Sequence, residues 1–486
     1  MGNRTRTSEP DTAAPDATAP DTTEPDTTEP DTTEPARPSV ALVALCLGYF
    51  MVILDVTVVS VAVPSIGRDL SVGVTGLQWV VDGYTLVFAM LLLPSGGAGD
   101  RLGGRRVLLT GLCVFTVASL GCAAAPSAGL LVAARLAQGV GAALQVPASL
   151  SLLRAAYPDR AARARAFGAW GAVAGVAAGA GPVLGGLLVS GWGWRSVFAL
   201  NLPVGLLALV LTARYVPAPA ATGWGGRRGL DLPAQSLGAL AVAALTGGLI
   251  EVGGRGWSAP PVLASAAVAV LAGGGFVLLE RRARHPLLPP ILFASHTFRV
   301  AAAVGLLLNL GFYGMIFVAT VYFQQLRGYD ARTAGLALLP ALGMAMVSSA
   351  LAGRVTARTG PRLPMVLGLV VGAAGLFGWL LAGPATGYPV LAVAMLAAGF
   401  GTAFTMPAAT AAIMSAAPEA TGGVAAAVFN AGRQVGSAVG VALLGSLLVG
   451  PGRFVPGLHA GALVAGCGFL LAAALAATVR PGTPGL

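Results

Sequence analysis

The stretch Gly99-Asp100-Arg101-Leu102-Gly103-Gly104-Arg105-Arg106 sits between two apolar runs, roughly residues 77–98 and 107–124, each long enough to cross a bilayer. Three arginines in so short a connector mark it as cytoplasmic, since basic residues of short loops stay on that side. The pattern returns with Gly353-Arg354-Val355-Thr356-Ala357-Arg358-Thr359-Gly360-Pro361-Arg362, which aligns with Gly96 to Arg105. Gly353 falls on Gly96, Arg358 on Arg101, Gly360 on Gly103 and Arg362 on Arg105, while Ala357 replaces Asp100. Two copies of a helix–basic turn–helix unit predict a chain built from two related halves.

Composition sets the solvent. Of 486 residues, 56% are hydrophobic and 10% charged, and the mean hydropathy is +0.80, which excludes an ordinary soluble protein. The 69 glycines would weaken soluble helices, but small residues let membrane helices approach closely. The net charge of +10 does not indicate nucleic acid, because the arginines fall in short connectors rather than along one stripe. Lysine is absent, and the Ala/Gly/Arg richness points to a GC-rich bacterial genome. Cys46, Cys113, Cys122 and Cys467 lack metal-ligand spacing and read as small buried side chains. His285, His296 and His459 lie in connectors or at span ends, and no nucleophile–base set accompanies them, so an enzyme is not expected.

Residues 1–35 carry a five-residue Pro-Asp-Thr-Thr-Glu repeat with no apolar face to bury, and the tail 1–39 is expected to be disordered. Fourteen apolar runs follow, roughly at 40–63, 77–98, 107–124, 128–153, 166–189, 196–213, 233–250, 260–279, 300–323, 332–352, 363–383, 388–412, 422–449 and 458–478. Alternating the connectors puts 21 arginines on the side of the termini and six on the other, leaving Arg135 and Arg433 inside spans. That bias orients both termini toward the cytoplasm and supports an even number of spans. The second basic turn follows span ten rather than span eight, so two helices are additional. The expected division is a six-helix bundle at 40–216, two added helices at 217–285 and a second six-helix bundle at 286–486.

Three charged residues stand inside the early spans. Asp55 lies deep in span one, where a bare carboxylate costs about 2.5–3.5 kcal/mol on insertion scales and should face the bundle interior. A carboxylate in low dielectric is also a natural proton carrier. Asp82 lies nearer the outer end of span two, where solvation is expected. Arg135, in span four, must pair when buried, and it shares a helix face with Gln138 and Gly139. In span five, Gly171, Gly175 and Gly179 recur every fourth residue before Gly181-Pro182-Val183-Leu184-Gly185-Gly186. Such spacing makes a flat face for a neighbouring backbone, and the Gly-Pro pair should bend or loosen the helix.

Taken together, the chain resembles the fourteen-span drug:proton antiporter branch of the major facilitator superfamily over roughly residues 40–480. The turn at 99–106 is similar to that superfamily's signature between helices two and three, although Gly97 stands where a basic residue is common. Gly181-Pro182-Val183-Leu184-Gly185-Gly186 resembles the antiporter signature of span five. Arg135 with Gln138, Gly139 and Gly141 resembles the span-four motif linked to proton transfer, and Asp82 falls where members often carry a carboxylate. The resemblance implies an all-α membrane fold in which Asp100, with Arg101, Arg105 and Arg106, latches the cytoplasmic side. Few carboxylates lie in the second-half spans, so proton coupling is expected on Asp55, Asp82 and Arg135.

A cavity between the halves would be lined by groups such as Tyr49, Gln138, Asn309, Tyr313, Phe404, Asn430 and Arg433, with Phe312, Phe317 and Phe429 adding apolar surface. The function that follows is proton-coupled export of a hydrophobic or amphiphilic drug or antibiotic across a bacterial plasma membrane. The expected partners are the small-molecule substrate, protons and lipid, for a monomer that needs no cofactor beyond the proton gradient. Two alternatives stay open on the residues: a proton symporter for uptake of a small solute, and a membrane sensor or assembly protein that docks through its acidic tail.

Overall fold

The computed structural model describes residues 38–157, 159–217, 232–283, 290–417, 422–450 and 452–479, with Gly2, Pro286 and Leu288. The acidic repeat lies outside these residues. Among those described, the chain is helical and forms no strand. In a bilayer each apolar run must satisfy its own backbone polar groups, and a helix does so within one segment.

The first half comprises α1 (Pro38–Asp69), α2 (Val74–Leu102), α3 (Gly104–Ala123), α4 (Ala128–Ala156), α5 (Arg160–Trp192), α6 (Arg195–Ala199) and α7 (Asn201–Tyr215). The added pair is α8 (Leu232–Arg255) and α9 (Pro260–Arg282). The second half comprises α10 (Pro290–Ala294), α11 (His296–Val321), α12 (Ala331–Ala337), α13 (Leu339–Thr359), α14 (Arg362–Gly378), α15 (Tyr388–Ala416), α16 (Gly422–Ser446) and α17 (Phe454–Ala477). Each of the fourteen expected runs is helical. Twelve are long and apolar enough to qualify as spans among the described residues, and α13 and α16 are not among the twelve. Both carry charge, Arg354 and Arg358 in α13 and Arg433 in α16, which lowers their hydropathy.

Helix limits differ from the apolar runs in one systematic way. The first basic turn is not a loop: α2 continues through Asp100 and Arg101 to Leu102, and α3 starts at Gly104. Gly103 alone makes the reversal, at φ +86°, a conformation that favours glycine. Its repeat partner Gly360 does the same at φ +76° between α13 and α14. Pro182 sits within α5, which runs unbroken from Arg160 to Trp192 rather than dividing there.

Packing repeats as the sequence does. In the first half α1 packs on α5 and α7, α4 on α2 and α3, and α3 on α7. In the second half α11 packs on α16 and α17, α15 on α13 and α14, and α14 on α17. Between the halves α2 meets α16, α5 meets α12 and α13, and α1 meets α11. The added α8 lies against both α2 and α16, with Gly247 beside the Trp79 ring and Gly253 beside Ser446, while α9 packs mainly on α8. The extra helices therefore flank the seam rather than extend either bundle.

One end of the seam is shut. Gln78 Nε2 donates to the carbonyls of Val441 (3.0 Å) and Ala442 (2.8 Å), and Gln324 Nε2 donates to that of Val61 (2.9 Å). Gln324 lies in a π-helical turn, Tyr322–Leu326, that closes α11. A Cβ on Gly335 would stand 2.2 Å from the Pro182 carbonyl oxygen, so α5 and α12 touch backbone to backbone. In the halves of α5 and α16 that begin on the arginine-rich side, a Cβ on Gly171, Gly175 or Gly432 would meet no described atom within 4 Å.

Candidate functional site

The core of the first half holds a closed polar cluster. Asp55 and Arg135, 2% and 1% exposed, form an ion pair. Arg135 Nε donates to the Val80 carbonyl (2.9 Å) and its Nη1 to Gln138 Oε1 (2.9 Å). The guanidinium carbon lies 4.5 Å from the centre of the Tyr84 ring and 5.8 Å from that of Phe198. Asp55 Oδ1 accepts from Gln138 Nε2 (3.3 Å) and Asn201 Nδ2 (2.9 Å). Both amides also donate to Ser119 Oγ, at 2.8 and 3.3 Å, and Cys122 Sγ donates to Gln138 Oε1 at 3.2 Å. Six helices thus hold one carboxylate–guanidinium pair away from lipid, each charge met by fixed donors or acceptors.

Asn201 and Ser119 were not expected from sequence. Asn201 occupies the first turn of α7 and reads as the polar end of a span, and Ser119 is a single hydroxyl in an apolar helix. The available signal was the Asn itself, an amide inside an apolar run that must find a buried partner. Asn201→Ala should lower stability by about 1–3 kcal/mol, the cost of leaving a buried acceptor short of a donor. A thermal-melt comparison in detergent checks this.

Asp82 stands apart from that cluster. It is 0% exposed, not solvated as its position suggested, and neither carboxylate oxygen has a hydrogen-bond partner among the described residues. It follows Gln78 by one turn, which puts it on the face of α2 that meets α16. Gln138 is likewise fully buried inside the first half and does not line the space between the halves.

Away from the Gln78 and Gln324 contacts, Tyr49 and Trp170 stack with ring centres 3.6 Å apart and planes 5° apart. Across from them Arg433 Nη1 donates to Asn430 Oδ1 (3.1 Å), and Tyr313 packs edge-on against Phe312. Asn309 instead donates to the Gly305 carbonyl of its own helix (2.8 Å), and Phe404 stacks on Phe400 within α15. Phe317 lies at the shut seam beside Gly445. Cys46 and Cys122 are buried as expected, whereas Cys113 and Cys467 are exposed, on helix faces turned outward.

The span-five signature divides into two. Gly171 and Gly175 border open space, while a Cβ on Gly181 would stand 2.5 Å from Thr57 Cβ and one on Gly185 3.0 Å from the Val58 carbonyl oxygen. Gly186 faces the other half, where its Cβ would lie 2.9 Å from Arg332 Cα. Gly179 and Pro182 complete the same stretch of α5. In the basic turn, the side chains of Asp100 and Arg101 lie outside the described residues. Arg105 donates to the Ala213 carbonyl at the end of α7, within its own half, and Arg106 is exposed.

A two-half helical membrane protein with this basic turn, shut at one end of its seam, has a recognised family. The sequence profile described as Major Facilitator Superfamily matches residues 45–441. The chain belongs to that superfamily. It is 41% identical over 433 residues to a methylenomycin A resistance protein of Streptomyces coelicolor, covering 89% of this chain and 90% of that one. It is 36% identical over 412 residues to a tetracenomycin C resistance and export protein of Streptomyces glaucescens, covering 85% and 76%. Among solved structures, a peptide transporter POT in complex with sulfate superposes with a TM-score of 0.65 at 16% identity, over 90% of this chain and 94% of that one. That likeness concerns the fold alone. The protein is a multi-pass membrane member of a transporter superfamily.

Proposed function

We propose that this protein is a proton-coupled antiporter that exports a hydrophobic or amphiphilic drug or antibiotic from the cytoplasm by alternating access. We place it in a bacterial plasma membrane with both termini inside, where it serves resistance, including self-protection of a producing cell. The observation that carries the reading is the Asp55–Arg135 pair, sealed in the lipid-embedded core of one half and fully hydrogen-bonded. An ion pair in that setting is a poor stability device, because apolar residues of the same volume would do as well. It is a good switch: protonating Asp55 releases Arg135 and alters how α1 sits against α4.

In this reading a cytoplasmic substrate enters from the arginine-rich side, opposite the Gln78 and Gln324 contacts, and closure there follows as those contacts part. Proton uptake from outside then favours release of substrate and return to the inward-open state. Asp82, buried with no hydrogen-bond partner among the described residues on the face of α2 toward α16, is the second carrier in this scheme. The named resistance and export relatives support the direction of transport.

Asp55→Asn tests the coupling. The amide oxygen still accepts from Gln138 and Asn201 but leaves Arg135 without its counter-charge, so a melting curve in detergent accompanies the assay. The amide cannot carry a proton near neutral pH. Substrate-driven proton movement in proteoliposomes should fall to background. Undiminished exchange removes Asp55 from the mechanism.

A further inference from the structure

Among the described residues Arg433 is a cation without a counter-ion. Its described contacts are the Asn430 Oδ1 acceptor and the Phe429 ring, 5.9 Å from the guanidinium carbon, and its buried Nε–H has no partner among the described residues. Tyr49 and Tyr313 are within its electrostatic reach, and neither Asp55 nor Asp82 is among the groups acting on it. On the facing wall the Trp170 indole N–H is also buried and has no partner among the described residues, and an indole nitrogen can only donate. Trp170 stacks on Tyr49, and Ala431, two residues before Arg433, borders the same apolar cluster. The sequence neighbours of the two donors, Gly171 and Gly432, border space, since a Cβ on either would meet no described atom within 4 Å.

We infer that this cavity recognises an anionic amphiphile, a flat conjugated or aromatic body bearing a carboxylate, phenolate or enolate. The anion sits on Arg433 and accepts from Trp170, and the ring lies along the Tyr49–Trp170 plate. The physical reason is balance. A guanidinium in a low-dielectric cavity is costly until an anion joins it, and charge-assisted hydrogen bonds are about twice as strong as neutral ones. Among the described residues a cationic drug has no free carboxylate to meet here, because Asp55 is consumed by Arg135 and Asp82 lies on the face of α2 that carries Gln78 toward the shut part of the seam. The inference rests on the reading of this cavity as the substrate path.

The test uses the full chain in lipid nanodiscs and three fluorescent probes that share one ring system: 1-pyrenebutyrate, its primary amide and a pyrenebutyl-trimethylammonium. The carboxylate should bind about tenfold or more tighter than the amide, with the cation weakest. Arg433→Gln should bring the carboxylate-to-amide ratio to about one, and Arg433→Lys should retain part of it. Should Arg433→Gln fail to fold, Trp170→Phe keeps the stacking ring and should still lower carboxylate affinity severalfold. Equal binding of acid and amide, a ratio that survives Arg433→Gln, tightest binding of the cation, or no binding of any probe overturns the inference. Efflux from cells is scored separately. Export without acid preference leaves the export reading standing, and acid preference without export removes that reading alone.

Discussion

Arg135→Leu is expected to destabilise the protein by about 3–5 kcal/mol, the usual cost of deleting one partner of a buried ion pair. The loss has three identifiable parts. Asp55 is left as a buried carboxylate with amide donors only, the Val80 carbonyl loses its side-chain donor, and Gln138 Oε1 loses one of two. Leucine restores packing under the Tyr84 ring but none of the hydrogen bonds. The result should be a marked fall in melting temperature in detergent and loss of transport even where folded protein survives. Adding Asp55→Asn to the same chain should recover much of the stability, because the orphan charge is gone, and none of the transport. A single variant that melts with the unsubstituted protein would show that the pair contributes nothing to folding. A double variant no more stable than the single would show that packing, not charge, is what Arg135 supplies.

The parts of this fold that follow from solvent were legible in the sequence, and those that depend on which helix meets which were not. Length and apolarity alone locate Asp55 and Arg135 inside spans, and charge economy in hydrocarbon predicts that they pair. Nothing in the sequence says that α7 brings Asn201 to the same carboxylate, because that depends on α1 and α7 being neighbours. The glycines of α5 look alike in sequence but stand in different environments. From Gly171 to Gly186 they pass from open space to close contact with α1 at Gly181 and Gly185, and then to a backbone contact with the other half at Gly186. Gln138 and Arg433 looked alike as polar residues within spans. One is enclosed by donors and acceptors of its own half, and the other faces the space between halves, a difference that only the seam decides.

That convergence makes Gly186→Val the second large effect. The Gly186 backbone lies so close to α12 that a Cβ would stand 2.9 Å from Arg332 Cα and 3.1 Å from the Ala331 carbonyl oxygen. These are backbone atoms and cannot swing aside, so α5 and α12 must separate by the width of the added group. Overpacking of this kind costs about 1–3 kcal/mol. Alternating conformations of one protein differ by only a few kcal/mol, so the same penalty shifts their populations about 5- to 150-fold. The variant should therefore fold but favour the state open at the end now shut. Hydrogen–deuterium exchange in nanodiscs should rise in 322–332 and fall in 166–178, and transport should drop because the inward-open state is rarely visited. Gly335→Val, on the opposite half, would push against the Pro182 carbonyl and should give the same exchange pattern. Two substitutions on different bundles with one phenotype are expected only if this contact is the gate. Unchanged exchange in both segments, in both variants, would place the gate elsewhere.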